Sequence, residues 1–224
     1  ALKDMPSDET DGLITNCFLE RNDPREVLIS RDKKLFKDLD KNSIIGTSSF
    51  RREFQLKNLR NDLNYKIIRG NVDTRIKKLN DKIYDAIILS LAGINSLNFN
   101  NHISQIFSIN EVIPSAGQGV VALQCRESDN NIIEILKKIN DQKNYQCIIA
   151  ERNVLKVLEG DCETAIGAIS TINNKKITLE AELFSLDGTK RYYHKETKDI
   201  DYASELGLEV GEILKKESKG SYKK

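Results

Sequence analysis

A surplus of charge of either sign is missing from these 224 residues, where 35 Lys and Arg stand against 34 Asp and Glu for a net charge of +1. Such a chain has no global field to recruit nucleic acid or an acidic membrane surface, so any anion binding must be local. Aromatics make up only 6%, too few to interleave with basic residues as a single-strand-binding platform requires. Soft-metal ligands are scarce as well. There are two histidines, His102 and His194, and four cysteines, Cys17, Cys125, Cys147 and Cys162. Neither histidine has a ligand-type neighbour and the cysteines form no metal-binding pairs, so no metal is expected. Their low density fits a reducing compartment rather than a disulfide framework. No apolar run approaches the roughly 20 residues that span a bilayer. The opening ALKDMPSDET lacks the charged and apolar regions of a signal peptide. A soluble protein is expected, with neither membrane nor nucleic acid as partner. Its first six residues read as the inside of a chain, which leaves room for a lost targeting segment. No internal repeat is visible.

What is present is 39% hydrophobic residues, enough for a sizeable core and for more than one domain. Leu13 to Leu19 reads as a strand, and the polar Glu20 to Arg25 as a crossover or hinge. A βαβα pattern follows. Ser43 to Gly46 is a strand, Thr47-Ser48-Ser49 offers helix caps, and Phe50 to Leu63 is a helix with Phe50, Phe54, Leu56 and Leu59 as its apolar positions. Tyr65 to Arg69 is the next strand, a helix runs from about Thr74 to Lys82, and Tyr84 to Ser90 is a strand buried on both faces. Strands alternating with helices imply a parallel sheet. Ile113 to Gly119 is a small-residue loop suited to a second hinge, followed by a strand at Val120 to Cys125 and helices at Asn130 to Ile139 and Asn144 to Leu158. The pattern then becomes antiparallel, with strands at Ala165 to Ile172, Lys176 to Ser185 and Arg191 to Lys195 and a helix at Tyr202 to Lys216. The end, KKESKGSYKK, reads as a frayed tail.

Both strand-to-helix junctions, GTSSFRR and RGNVDTR, place arginines at a helix start, where free N–H groups and the macrodipole favour an anion. Arg51 and Arg52 carry forked donors suited to carboxylate or phosphate, and Thr47, Ser48 and Ser49 add hydroxyls. Arg69 and Arg75 flank the second turn. Each arginine alone reads equally as solvated surface. Together, at two strand ends of one sheet, they converge where ligands bind such sheets and suit a ligand with several carboxylates. Cys162, in LEGDCETAIG, occupies a loop position open to a reactive thiol. Glu159, Asp161 and Glu163 disfavour its thiolate, so an incidental cysteine stays open as a reading. Cys17, Cys125 and Cys147 read as core thiols. Asp4, beside Lys3 and before Met5-Pro6, can stabilise a developing cation or be an ordinary loop aspartate.

Taken in order, ALKDMP, GTSSFRREFQL, RGNVDTR, YDAIILSLAG, PSAGQGVVALQCR, AERNVLKVLEGDC and AIGA resemble the motifs of porphobilinogen deaminases. The resemblance runs from Ala1 to about Gly167 and more loosely beyond. It implies a transferase that joins four porphobilinogen molecules head to tail, with loss of ammonia, into hydroxymethylbilane for tetrapyrrole and haem biosynthesis. It implies a dipyrromethane cofactor held as a thioether by Cys162, and Asp4 as the catalytic group stabilising pyrrole N–H groups and the azafulvene cation. Lys3, Asp4, Thr47, Ser48, Ser49, Arg51, Arg52, Arg69, Gly70 and Arg75 match cofactor-binding positions. Arg69, Arg75, Gln118 and Arg152 match substrate-binding ones.

The fold so implied is α/β. Two domains would be periplasmic-binding-protein-like, a partial domain 1 (1–20 and 120–137) and domain 2 (25–113), joined by hinge segments. A small α+β domain 3 (141–224) with a three-stranded antiparallel sheet would anchor the cofactor. Relatives carry further βα units ahead of Ala1. The chain alone is therefore expected to be inactive, or to be completed by a separate polypeptide, in cytoplasm or plastid stroma. Two departures stand out: Ser96 replaces an arginine common in the family, and the cysteine loop reads GDC where GGC is common. The rival reading is a non-catalytic anion- or solute-binding module of periplasmic-binding-protein type. It would need neither Cys162 nor Asp4.

Overall fold

The computed structural model of the chain describes residues 1–160 and 164–223. Two compact units divide it. One combines Ala1–Asn22 with the chain from Ser115 onward, and the other is Asp23–Pro114. The first unit opens with β1 (Leu13–Phe18). The second follows with β2 (Glu26–Ser30), β3 (Ile44–Gly46), β4 (Asn64–Lys66), β5 (Ala86–Ser90) and β6 (Gln105–Ile106). Their order across the sheet is β4-β3-β5-β2-β6.

Strands β2 and β5 are apolar on both faces, and two cores explain why. Val27, Ile29, Ile87 and Leu89 face one cluster with Ile76 and Leu79, while Leu28, Ile45, Ala86 and Ile88 face the other with Phe36 and Leu56. Alternate side chains of a strand point to opposite faces, so a sheet covered on both sides demands continuous apolar runs. Each such Val, Leu or Ile contributes about 1.5–3 kcal/mol by leaving water.

The sheet is mixed, which corrects the expected parallel one. β3 runs parallel to β4 and β5, but β2 pairs antiparallel with both β5 and β6. Strand β2 escaped the sequence reading because it is short and follows the polar segment 20–25 with no helix before it. Helix α1 (Phe50–Leu59) follows β3, α2 (Val72–Asn80) follows β4 and α3 (Leu91–Ser96) follows β5. Helix α1 stops four residues earlier than its apolar pattern suggests. Arg60 leaves helical space at φ −149°, and its guanidinium donates to the carbonyls of Phe36 and Leu39, each at 2.9 Å.

In the first unit, β7 (Ala122–Arg126) pairs antiparallel with β1. Helices α4 (Asn130–Ile139) and α5 (Gln142–Leu158) follow, then β8 (Ile166–Asn173), β9 (Lys176–Phe184), β10 (Arg191–Asp199) and α6 (Ala203–Ser218). The last three strands form the expected three-stranded antiparallel sheet, in the order β10-β9-β8. Its first hairpin closes through Asn174 and Lys175, both at positive φ, the conformation a two-residue hairpin needs. Helices α5 and α6 pack so closely that a Cβ at Gly207 would lie 2.2 Å from the Ala150 carbonyl oxygen. The frayed tail is a second correction: Tyr222 is 2% exposed inside the α5/α6 core, and Ser221 accepts a backbone hydrogen bond from Leu186 at 2.9 Å. An aromatic ring near a charged end suffices to dock it. No helix among the described residues is long and apolar enough to cross a membrane.

Candidate active site

Strands β3, β4 and β5 share one direction, so their carboxyl ends lie along one edge of the sheet, where α/β sheets bind ligands. The antiparallel β2 reaches that edge with its beginning, because Glu26 pairs with Ser90, the last residue of β5. Register thus delivers a carboxylate to the start of α1.

Glu26 is 0% exposed and holds both arginines of the first junction, Arg51 Nη2 at 2.7 Å and Arg52 Nη2 at 2.8 Å. Arg51 also donates through Nη1 to the carbonyl of Ile113 at 2.7 Å. Gln55 brackets that same residue, donating to its carbonyl at 2.9 Å and accepting from its N–H at 2.5 Å. Arg52 is less fully engaged. Its Nη1 reaches the Ile88 carbonyl only at 3.4 Å, and its buried Nε has no hydrogen-bond partner among the described residues. Burial of this polar triad also inverts the expected face of α1. Phe54 and Leu56 are buried as expected, but Phe50 and Leu59 are exposed while Arg51, Arg52 and Gln55 lie inside. The hydroxyls nearby serve the backbone. Thr47 Oγ1 accepts from the Ser49 N–H at 3.2 Å, and Ser49 caps α1 by accepting from the Arg52 N–H at 3.4 Å. Ser48 is exposed.

The second junction is looser. Arg69 is exposed, and Arg75 donates through Nε to the Gly70 carbonyl at 2.7 Å. Burial, and after it the like charge of Arg52, pull the Arg75 guanidinium below its ordinary value. The two junctions therefore feel each other electrostatically. Gly70 sits at φ +119°, and a Cβ there would meet Thr74 Cγ2 at 2.7 Å, so only glycine closes this turn comfortably.

In the first unit, Lys3 and Asp4 belong to a single 3-10 turn, Leu2–Asp4, anchored by the buried Leu2, whose N–H donates to the Val120 carbonyl at 3.0 Å. Lys3 Nζ donates to Gln118 Oε1 at 3.3 Å, and Gln118 is fully buried. The Asp4 carboxylate is exposed, with no hydrogen bond or ion pair among the described residues. Arg152 on α5 donates to the carbonyls of Pro6 and Ser7, tying down the segment after Asp4. Burial pulls its guanidinium below its ordinary value, with Glu9 and Asp8 opposing. A cavity of about 340 Å³ opens there, lined by Arg152, Lys156 and residues 5–10.

Among the described residues three glutamates are fully buried: Glu182, which pairs with Arg191 Nε at 2.8 Å, and two at the candidate site that the sequence reading does not name, Glu26, and Glu151, which accepts from Arg21 Nη2, the Gly117 N–H and the Ser170 N–H, each at 2.8 Å. The charge and hydrogen bond of Glu151 outweigh burial and hold Arg21 above its ordinary value. Only one local signal pointed to either: a carboxylate opening an apolar run, as in EVLI, is a buried charge in need of partners. Cys162 lies outside the described residues. Cys17 and Cys147 are buried, as expected for core thiols, and burial pushes the Cys147 thiol up to about 12; Cys125 is half-buried.

The class these features define is an α/β protein of two units, one carrying arginines along the carboxyl edge of its sheet. Comparison narrows it. Residues 1–134 match the family model "Porphobilinogen deaminase, dipyromethane cofactor binding domain", and residues 145–216 match "Porphobilinogen deaminase, C-terminal domain". A porphobilinogen deaminase of Desulforamulus reducens is 40% identical over 214 residues, 96% of this chain and 69% of the relative. One of Chlorobium phaeovibrioides is 38% identical over 221 residues, 97% of this chain and 71% of the relative. The chain belongs to the porphobilinogen deaminase family. Among solved structures, a periplasmic binding protein of Salmonella typhimurium with high arginine specificity is similar at a TM-score of 0.37. It is 16% identical, covering 57% of this chain and 60% of its own.

Proposed function

We propose that this chain carries its family's reaction, condensing porphobilinogen head to tail with loss of ammonia to give hydroxymethylbilane. The observation that carries the reading is the charge at the strand-end edge. Arg52, with an unused buried Nε, and Arg75, lowered by burial and then by its neighbour's charge, together lack an anion that a substrate carboxylate would supply. The donor set fits a dipyrromethane, whose ring side chains are carboxylates; bound through Cys162, it would supply the pyrrole terminus that is elongated. Arg52, Arg69 and Arg75 would orient the acetate and propionate groups. Asp4, with no hydrogen bond or ion pair among the described residues and preceded by a lysine held at Gln118, would stabilise positive charge as ammonia departs. Arg152 would hold the segment carrying Asp4 in place.

Within the first unit we take residues 120–137 and 141–224 as belonging to different domains, with the boundary at Asn140 and Asp141, where α4 gives way to α5. The exposed Ile132, Ile135 and Ile139 of α4 offer an apolar face on which further polypeptide would pack. The free thiols Cys17, Cys125 and Cys147 fit work in a reducing compartment such as cytoplasm or plastid stroma.

The test is ammonia release from porphobilinogen by wild type and by Asp4→Ala, each supplied with the βα units that relatives carry ahead of Ala1. The reading expects release by wild type, and a loss in the variant of at least a hundredfold with porphobilinogen binding retained. Equal release by both would overturn it.

A further inference from the structure

We propose that Glu26 is a positioning residue of the carboxylate site, aiming Arg52 at the ligand while locking Arg51 into the scaffold. The inference rests on the functional reading above, in that the ligand is a carboxylate. Three observations carry it. The register of β2 against β5 brings the one buried carboxylate of the cluster to the ligand edge, opposite Ser90. That carboxylate faces one guanidinium with each oxygen, Arg51 hydrogen-bonded to Oε1 and Arg52 in an ion pair at Oε2 without hydrogen-bond geometry, and so draws both to one point. The two arginines then differ in what remains. Arg51 has its other terminal nitrogen on the Ile113 carbonyl at 2.7 Å, a residue also bracketed by Gln55, whereas Arg52 keeps a buried Nε without a hydrogen-bond partner among the described residues and a long 3.4 Å contact through Nη1.

Glu26 thereby divides labour between adjacent arginines of the same type. Without it, the two guanidiniums would repel each other and Arg75. Arg52 would lose the fork geometry that makes bidentate recognition selective. With Glu26 neutralised, both guanidiniums would lose the carboxylate they share, and Arg52 would be unaimed.

The experiment is a double-mutant cycle of Glu26→Gln and Arg52→Lys on the full chain. It has two readouts, porphobilinogen affinity by calorimetry and the rise in thermal midpoint with succinate, a plain dicarboxylate. In the wild-type background, Arg52→Lys should weaken porphobilinogen about tenfold or more. In the Glu26→Gln background the same change should cost less than about twofold, because Arg52 is no longer aimed. Glu26→Asp keeps the charge but is one methylene short. It should recover most of the thermal midpoint while binding stays weak, which a purely structural glutamate would not do. It also supplies the binding readout if Glu26→Gln fails to fold. Additive effects in the cycle, or wild-type affinity in folded Glu26→Gln or Glu26→Asp, would overturn the inference. Wild type stabilised by succinate yet blind to porphobilinogen would overturn the functional reading alone, with the cycle then read on succinate. A wild type that answers to neither would overturn both.

Discussion

After β3, the guanidiniums of Arg51 and Arg52 are buried around Glu26; after β4, Arg69 is exposed and Arg75 is half-buried on a backbone carbonyl. In composition the two strand-to-helix junctions are near twins, each offering a pair of arginines at a helix start. What separates them is the counter-charge that β2 brings to one and not to the other. A guanidinium held by a buried carboxylate is fixed in direction, wholly spent on the scaffold as in Arg51 or aimed with a donor left over as in Arg52, and losing either member leaves an uncompensated ion. A guanidinium facing water costs little to remove and is available to a ligand. The same residue type therefore does different work at two strand ends along one edge of the sheet.

The comparison can be broken most directly at Glu26. Glu26→Ala strands two buried cations and should cost about 3–5 kcal/mol of stability, read as a fall in the urea midpoint. A loss below about 1 kcal/mol would mean that the first junction is as loosely held as the second. At the second junction the backbone, rather than an ion pair, sets the geometry. Gly70→Ala forces an alanine to φ +119° against Thr74, and should cost about 1–3 kcal/mol in thermal melts. An unchanged melting curve would contradict a turn that depends on glycine. Ser49→Ala removes the cap of α1. With its hydrogen bond long at 3.4 Å, the loss should sit at the low end for caps, about 0.5 kcal/mol by chemical denaturation. Arg69→Ala should change stability by no more than about 0.5 kcal/mol, as for surface sites. Porphobilinogen binding should still weaken by about 1.5–3 kcal/mol in calorimetry, the usual worth of a charged hydrogen bond. A stability loss larger than the binding loss would reverse the contrast between the junctions.

The alternation of strands with helices between residues 43 and 90 was legible because each element announces itself by its own periodicity. The C-terminal antiparallel sheet was legible from three strand-like runs that follow one another with only short gaps and no helix between them. Strand β2 was not: EVLIS is five residues long, and its polar first residue looks like part of the preceding hinge. Missing β2 hid Glu26, and with it the reason why Arg51, Arg52 and Gln55 rather than Phe50 and Leu59 face inward on α1. Periodicity counts apolar side chains, so it cannot see a helix face buried through ion pairs with a distant strand. The docked end of the chain was missed for a related reason. KKESKGSYKK is polar on average, and average polarity conceals a single ring, Tyr222, that fills a core position. Arg69, Arg75, Lys3 and Asp4 could be named from the sequence as candidates, but their exposure and partners depend on contacts that only the folded chain defines.

The central claim is a porphobilinogen-condensing chain whose product grows from a thioether on Cys162, and intact mass under denaturing conditions tests it most directly. After incubation with porphobilinogen, peptide mapping should find an increment of two condensed porphobilinogen units on the peptide containing Cys162, absent from Cys162→Ser. An unmodified Cys162 in protein that nonetheless releases ammonia from porphobilinogen would contradict the account.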